Sequence, residues 1–232
     1  DEMRLAEKQM ERIPETIGNI PYIIIMDRGY PSTPAFMHMI DKDIKFIVRL
    51  KSSDYKKEQS SLAENDQVVK IKLDKSRIRH YEGTPDGERM KELGEISLRM
   101  VKILLENGGL EVLATNLSQS EFHTAEIKEL YHMRWGIETA YETLKSRLQL
   151  ENFTGTKPIL LLQDIYSTIY LSNLTEDIIL DAERELNQKE INRKHKMMIN
   201  QTVSIGILKN DLIYILLETD KQKKNILFQQ IY

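Results

Sequence analysis

The sequence predicts an α/β fold with an antiparallel β insertion and a helical C-terminal part. Three observations predict it. A short apolar run, Tyr22-Ile23-Ile24-Ile25-Met26, leads through a turn and a helical stretch to a second apolar run, Lys45 to Leu50. Residues 52–117 then change to alternating patterns. Beyond them, apolar residues recur at helical spacing.

Residues 2–12 read as a helix that ends before Pro14. The run at 22–26 is rich in β-branched residues and reads as a strand buried on both faces. It stops at Asp27-Arg28-Gly29-Tyr30, and a helix is expected from about Thr33 to Lys42. With the strand Lys45 to Leu50 this makes a βαβ unit, hence a local parallel sheet. Val68 to Leu73 and Ile96 to Leu105 alternate as half-exposed strands do. Gly83, Pro85 and Gly87 mark a turn between them. Asn107-Gly108-Gly109 marks a hairpin, and Leu110 to Ala114 returns as a strand. Ser120 to Arg147 reads as one long helix, opened by a Ser-Gln-Ser-Glu capping signal. A further helix is expected from Pro158 to about Glu190, then two more near 191–208 and 212–217.

Composition excludes several classes. Of 232 residues, 41% are apolar and 30% charged, which fits a globular chain rather than a disordered one. There is no cysteine, so disulfides and thiolate metal sites are excluded. The apolar region from Pro158 to Leu174 carries Gln163 and Asp164 and is too short and polar to span a membrane. The net charge is −3, so nucleic-acid binding would need local basic stretches. Two exist: Lys70, Lys72, Lys75, Arg77, Arg79 and His80, and the run from Lys189 to Lys196. Either is equally read as a solvated face.

At about 100° per helical residue, Tyr131, Arg134, Glu138 and Lys145 fall within one stripe of roughly 60°. Met133, Ile137, Ala140, Leu144 and Leu148 form a neighbouring core stripe, and Trp135 is assigned to packing. The polar stripe reads as a solvated face of charge pairs, or as a metal-binding carboxylate flanked by two cations and a phenol for a phosphate backbone. Asp27 ends an apolar strand where ligand sites of α/β sheets gather. It reads as a cap or turn former, or as a second hard oxygen donor for a divalent metal.

Tyr131-x2-Arg134-x3-Glu138-x6-Lys145 resembles the signature of insertion-sequence-4-type DDE transposases. Asp27 in IIIMDRGYPS resembles that family's second catalytic Asp. Leu113-Ala114-Thr115-Asn116-Leu117 resembles the strand exit before its Glu helix, and Arg147-Leu148-x2-Glu151-Asn152-Phe153-Thr154-Gly155 resembles the segment after it. The resemblance covers roughly residues 5–210. It implies a ribonuclease-H-like catalytic core at 1–51, a β-rich insertion at 52–117, and the Glu-bearing helix with C-terminal helices at 118–232. It implies Asp27 and Glu138 as catalytic metal ligands and Tyr131, Arg134 and Lys145 as DNA contacts. The implied cofactor is two Mg²⁺, with Mn²⁺ as a substitute. The implied partners are double-stranded DNA, at transposon ends and target, and a second subunit on that DNA. The implied location is the bacterial cytoplasm, at the nucleoid when bound.

The family's first Asp lies on an earlier strand, and the 26 residues before Asp27 read as the connecting helix. The core is therefore expected to be partial, with its early strands missing and an open edge at 22–26. The function expected is transposition by metal-dependent strand cleavage and strand transfer, carried here as a fragment. The alternatives are an inactive remnant that binds only DNA or another subunit, an unrelated ribonuclease-H-like nuclease, and a binding module without chemistry.

Overall fold

The structure is a computed structural model and describes residues 2–105, 108–189 and 198–229. The chain divides into two compact units, residues 1–135 and 136–232.

The first unit opens with α1, Glu2–Ile17, which runs through Pro14 instead of stopping before it. Pro14 removes one helix donor and crowds the Met10 carbonyl, yet the Met10 side chain still reaches the core. The helix ends at Gly18, whose N–H reaches the Pro14 carbonyl at 2.9 Å with φ +65°. Next come β1, Ile23–Met26, α2, Thr33–Asp41, and β2, Lys45–Leu50. β1 and β2 pair in parallel, from Ile23 opposite Lys45 to Met26 opposite Val48, as the βαβ pattern predicts. Ser32 caps α2 by accepting from the Ala35 N–H at 3.2 Å, and Pro34 fits the first turn.

Three antiparallel strands continue the same sheet: β3, Asp66–Lys72, β4, Glu95–Leu104, and β5, Leu110–Thr115. The order is β1-β2-β5-β4-β3. The predicted insertion therefore extends the sheet. Among the described residues β1 pairs only with β2, so it is an edge strand. Ile23, Ile24 and Ile25 are half-buried, not buried on both faces as the apolar run suggested. Three short helices also lie in this region: α3, Lys56–Ser60, α4, Lys75–Ile78, and α5, Pro85–Leu93. Gly83 forms the expected turn with φ +77°, while Pro85 and Gly87 belong to the start of α5. The Thr84 hydroxyl accepts from the Gly87 N–H, and Pro85 occupies the first turn, the usual pairing of cap and proline. Gly87 is required there, since a Cβ would lie 2.1 Å from the Tyr81 carbonyl oxygen. At the hairpin, Asn107 lies outside the described residues. Gly108 takes φ +79° and donates to the Leu105 carbonyl.

Period-2 alternation sends side chains to opposite faces of the sheet. Phe46, Val48, Leu98, Met100, Val112 and Ala114 pack with Met10, Phe36, Met39 and Met90 on the face covered by α1, α2 and α5. Ile47, Val101, Ile103 and Leu113 pack with Ile127 and Tyr131 of α6, Thr124–His132, on the other.

α6 is tied to the sheet by Arg99 of β4, which is 3% exposed. Its guanidinium donates to both Asp66 oxygens at 2.7 Å, and to the carbonyls of Leu117, Ser118 and Phe122 at 3.2, 3.1 and 2.8 Å. The Thr124 hydroxyl at the start of α6 donates to Asp66 as well. Asn116 adds a link: it accepts from the Phe46 N–H and donates to the Ile44 carbonyl.

The predicted continuous helix over 120–147 is interrupted. It starts at Thr124, breaks at Met133-Arg134, resumes as α7, Trp135–Glu142, and widens into a π turn, Thr143–Arg147. At the break, Arg134 N–H reaches back only three residues, to Tyr131 O at 3.0 Å. In the π turn, Leu148 N–H reaches back five, to Thr143 O at 2.9 Å. Constant rotation per residue therefore fails across this region. The expected core stripe fails with it: Met133 is 69% and Ile137 50% exposed, and only Leu148 is buried. Trp135, assigned to packing, is 58% exposed.

The second unit continues with α8, Pro158–Lys189, α9, Gln201–Leu217, and α10, Lys221–Gln229. α8 and α9 are in contact, and Thr175, Ile178, Ile179, Ala182, Ile205 and Leu208 on them are buried. α9 is one helix where two were expected. Asn200 caps it, and Lys209-Asn210-Asp211 contains no residue that breaks a helix. The second basic run falls mostly on residues 190–196, outside the described residues. No helix among the described residues is long and apolar enough to cross a membrane.

The Arg99–Asp66 pair predicts the acid response of the fold. Arg99's hydrogen bonds hold the Asp66 carboxyl below its ordinary pKa, against its burial, with help from Thr124. A carboxyl lowered on folding contributes stability above its unfolded pKa of about 3.9, and that contribution is lost as pH falls through the folded value. Asp66→Asn should therefore lower stability at neutral pH and flatten its decline below about pH 4. Asp66→Ala should cost about 3–5 kcal/mol, because it strands a buried guanidinium. Urea denaturation across pH 2–7 measures both effects.

Candidate active site

Asp27 follows the last residue of β1, on the α6 face. Its side chain does not cap α2, since Ser32 does that. It accepts a hydrogen bond from the Tyr131 hydroxyl at 3.3 Å. Its main-chain carbonyl accepts from Tyr30 N–H at 3.2 Å, which closes the turn after the strand. The two readings of Asp27 thus divide between its atoms. The carbonyl forms a turn, while the carboxylate turns toward α6.

Burial raises the Asp27 pKa, but other influences outweigh it. The Arg28 backbone N–H, the Arg134 guanidinium, the Tyr131 hydroxyl and Arg49 together hold it below the ordinary value. Tyr131 is pushed up by its own burial and by the Asp27 charge, with Arg134 and Arg49 opposing. The outcome is a proton on the phenol and a charge on the carboxylate, the states that suit a hydrogen bond from Tyr131 to Asp27.

Tyr131 is 5% exposed and packs in the core, so its ring fixes the position of its hydroxyl. The Arg134 guanidinium lies 5.8 Å from the Tyr131 ring centre and 5.6 Å from that of Trp135. Contacts of this kind attract a guanidinium to an aromatic face.

Two residues beside Asp27 were not singled out from the sequence. The β1–β2 register places Arg49 one step past Val48, level with Asp27. Arg49 pairs with Glu111 of β5 at 2.8 Å, and both are mostly buried. A charged residue inside the apolar strand KFIVRL was the available signal for Arg49. Glu111 gave none, since its place depends on the β2–β5 pairing. Glu111, Tyr131, Lys128, His132 and Trp135 line a groove of about 910 Å³ between α6 and the ends of β4 and β5.

Glu138 and Lys145 belong to the second unit. Glu138 is exposed in the first turn of α7. Lys145 lies in the π turn and pairs with Glu151 at 3.0 Å, both well exposed. Such a pair is weak, so Lys145 is readily available to another anion. Of the four motif residues, the structure brings Tyr131 and Arg134 to Asp27. Among the described residues, no three His, Cys, Asp or Glu side chains converge as a metal-binding group.

These features define an α/β protein with an ionised carboxylate at the end of a parallel strand and arginines beside it. The model of the transposase DDE domain family matches residues 1–174, and the chain belongs to that family. The chain is similar to the putative transposase InsL of insertion sequence element IS186A from Escherichia coli (strain K12), at 33% identity over 75 residues, covering 32% of this chain and 20% of that protein. It matches the transposase of insertion sequence element IS421 from Escherichia coli to the same extent. It is also similar to the transposase InsG of insertion sequence element IS4 from Escherichia coli (strain K12), at 22% identity over 177 residues, covering 75% of this chain and 37% of that protein. The chain thus spans between a fifth and two fifths of the length of these relatives.

Tyr131→Phe keeps the ring and removes the hydroxyl. The Asp27 carboxyl pKa should then rise toward its ordinary value, read by carbon NMR titration of that carboxyl. An unchanged titration would show that the phenol does not hold the charge.

Proposed function

We propose that this chain is the catalytic part of a transposase that cuts DNA strands at the ends of an insertion sequence and joins them to target DNA. The observation that carries the reading is the Asp27 carboxylate, held ionised at a strand end within a DDE transposase domain. Asp27 and Glu138 are proposed as ligands of divalent metal. Both offer the hard oxygen donors that Mg²⁺ or Mn²⁺ takes. Two such ions, when bound, would supply Lewis-acid stabilisation to the attacking and leaving oxygens of an in-line displacement.

The chain's own groups hold the strand. Arg134, braced between two aromatic rings, and Lys145, on an exposed turn, are proposed to neutralise phosphate oxygens. Tyr131, whose hydroxyl rests on Asp27, is proposed to meet the same strand there. In the first reaction water displaces a 3′ oxygen and frees a 3′-OH. In the second, that 3′-OH displaces a phosphodiester oxygen of the target.

We also propose that the chain is a fragment of the complete enzyme, with a partial ribonuclease-H-like core at 1–51, the insertion at 52–117 and the Glu-bearing helices at 118–232. The unpaired edge of β1 among the described residues and the coverage of the relatives support this. The family's first carboxylate would come from a strand at that edge. Two subunits are proposed to act together on DNA, in the bacterial cytoplasm.

Glu138→Gln in the complete protein should lower Mg²⁺-dependent cleavage of a transposon-end duplex by roughly a thousandfold or more while leaving DNA binding intact. Cleavage at the wild-type rate would remove Glu138 from the site. Binding without cleavage by the unaltered complete protein would favour a remnant that only binds DNA or a subunit. Equal cleavage of a generic duplex would favour a nuclease unrelated to transposition.

A further inference from the structure

The first basic run of the sequence takes no part in the site described above. Lys70 and Lys72 lie on β3, the edge strand at the far side of the sheet from β1, and Lys75 and Arg77 on α4. Lys70, Lys72 and Arg77 line a groove of about 610 Å³ together with Lys56 and Lys57 of α3. The sequence separates these lysines by more than a dozen residues, and the fold brings them to one concavity.

The groove is cationic in effect as well as in composition. The lining cations Lys56, Lys57, Lys70, Lys72 and Arg77 outnumber the lining carboxylates Glu58 and Asp74. Asp74 accepts from the Arg77 N–H at 3.1 Å as the cap of α4, and Glu58 pairs with the Arg77 guanidinium at 2.5 Å. Asp54 accepts from the Lys51 N–H at 2.8 Å. Lys70 pairs with Glu95 at 2.6 Å, but both are exposed, so the pair is weak. Lys56, Lys57 and Lys72 are exposed and form no ion pair among the described residues. A chain of net charge −3 gathers these cations in one place, where their mutual repulsion is unfavourable without an anion.

The wall of the groove is rigid. Arg77 lies 5.0 Å over the ring of Tyr55, and Tyr55 packs against Phe36. Burial pushes the Tyr55 hydroxyl up to about 12, so it stays protonated, and it shares a hydrogen bond with the Thr33 hydroxyl at 3.0 Å. Thr33 opens α2, just beyond the turn that follows Asp27.

We propose that this groove holds the sugar-phosphate backbone of duplex DNA, through Lys56, Lys57 and Lys72, apart from the strand contacts proposed for Tyr131, Arg134 and Lys145. The proposal rests on the transposase reading. A protein partner would call for apolar anchors among the cations, whereas lysines round an open concavity suit phosphates and carry no sequence information.

The test is binding of the whole chain to a duplex of arbitrary sequence, titrated against salt. The triple variant K56A/K57A/K72A should lose about tenfold or more in affinity near physiological salt, and its log–log salt slope should fall by about one unit per lysine. Its thermal midpoint should match wild type, since all three side chains are exposed. The triple variant K56R/K57R/K72R should bind as wild type. Equal affinity and slope for the alanine variant, or failure of arginine to preserve binding, would overturn the proposal. Wild-type binding left unchanged by the alanine triple overturns the groove alone, whereas no binding by wild type overturns the groove and the transposase reading together.

Discussion

The Arg99 guanidinium makes five hydrogen bonds from a position that is almost fully buried. Burying that charge without its partners would cost several kcal/mol, so the partners are obligatory. Two bonds hold Asp66 on β3, and three hold the segment between β5 and α6. β3 and β4 thereby fix where α6 begins. Because α6 packs through Ile127 and Tyr131, fixing its start also fixes where the Tyr131 hydroxyl falls. The insertion is joined to the site by this clamp as well as by the continuous sheet.

Asp27 shows how the fold sets a charge. Half-burial alone would raise its pKa. A backbone N–H, a phenol and two arginines reverse that, and none of them needs to pair with it fully. Arg49 is shared with Glu111, and Arg134 is braced by aromatic rings. The arrangement favours the ionised form of the Asp27 carboxyl.

Local patterns in the sequence made much of this legible. The apolar run ending in Asp27, the βαβ unit, the alternating strands of the insertion and the capped helices are all set within a few residues. The family was legible in the spacing of Tyr131, Arg134, Glu138 and Lys145. What was not legible depends on partners distant in sequence or on breaks in a regular period. Helical arithmetic assumed one rotation per residue, but the tight turn at Met133-Arg134 and the π turn at Thr143–Arg147 change it. Arg49, Glu111 and Asp66 acquire meaning only through strand register. Pro14 and Pro85 were read as interruptions, where the backbone around each accommodates a helix.

Asp27 and Glu138 are proposed as metal ligands, and locating a bound ion tests that most directly. Mn²⁺ broadens the NMR signals of nuclei close to it, so titrating it into the isotope-labelled chain with duplex DNA locates the ion without relying on turnover. The account predicts that the amide signals of Arg28 and of the residues flanking Glu138 disappear first. Retention of those signals while others vanish would contradict it.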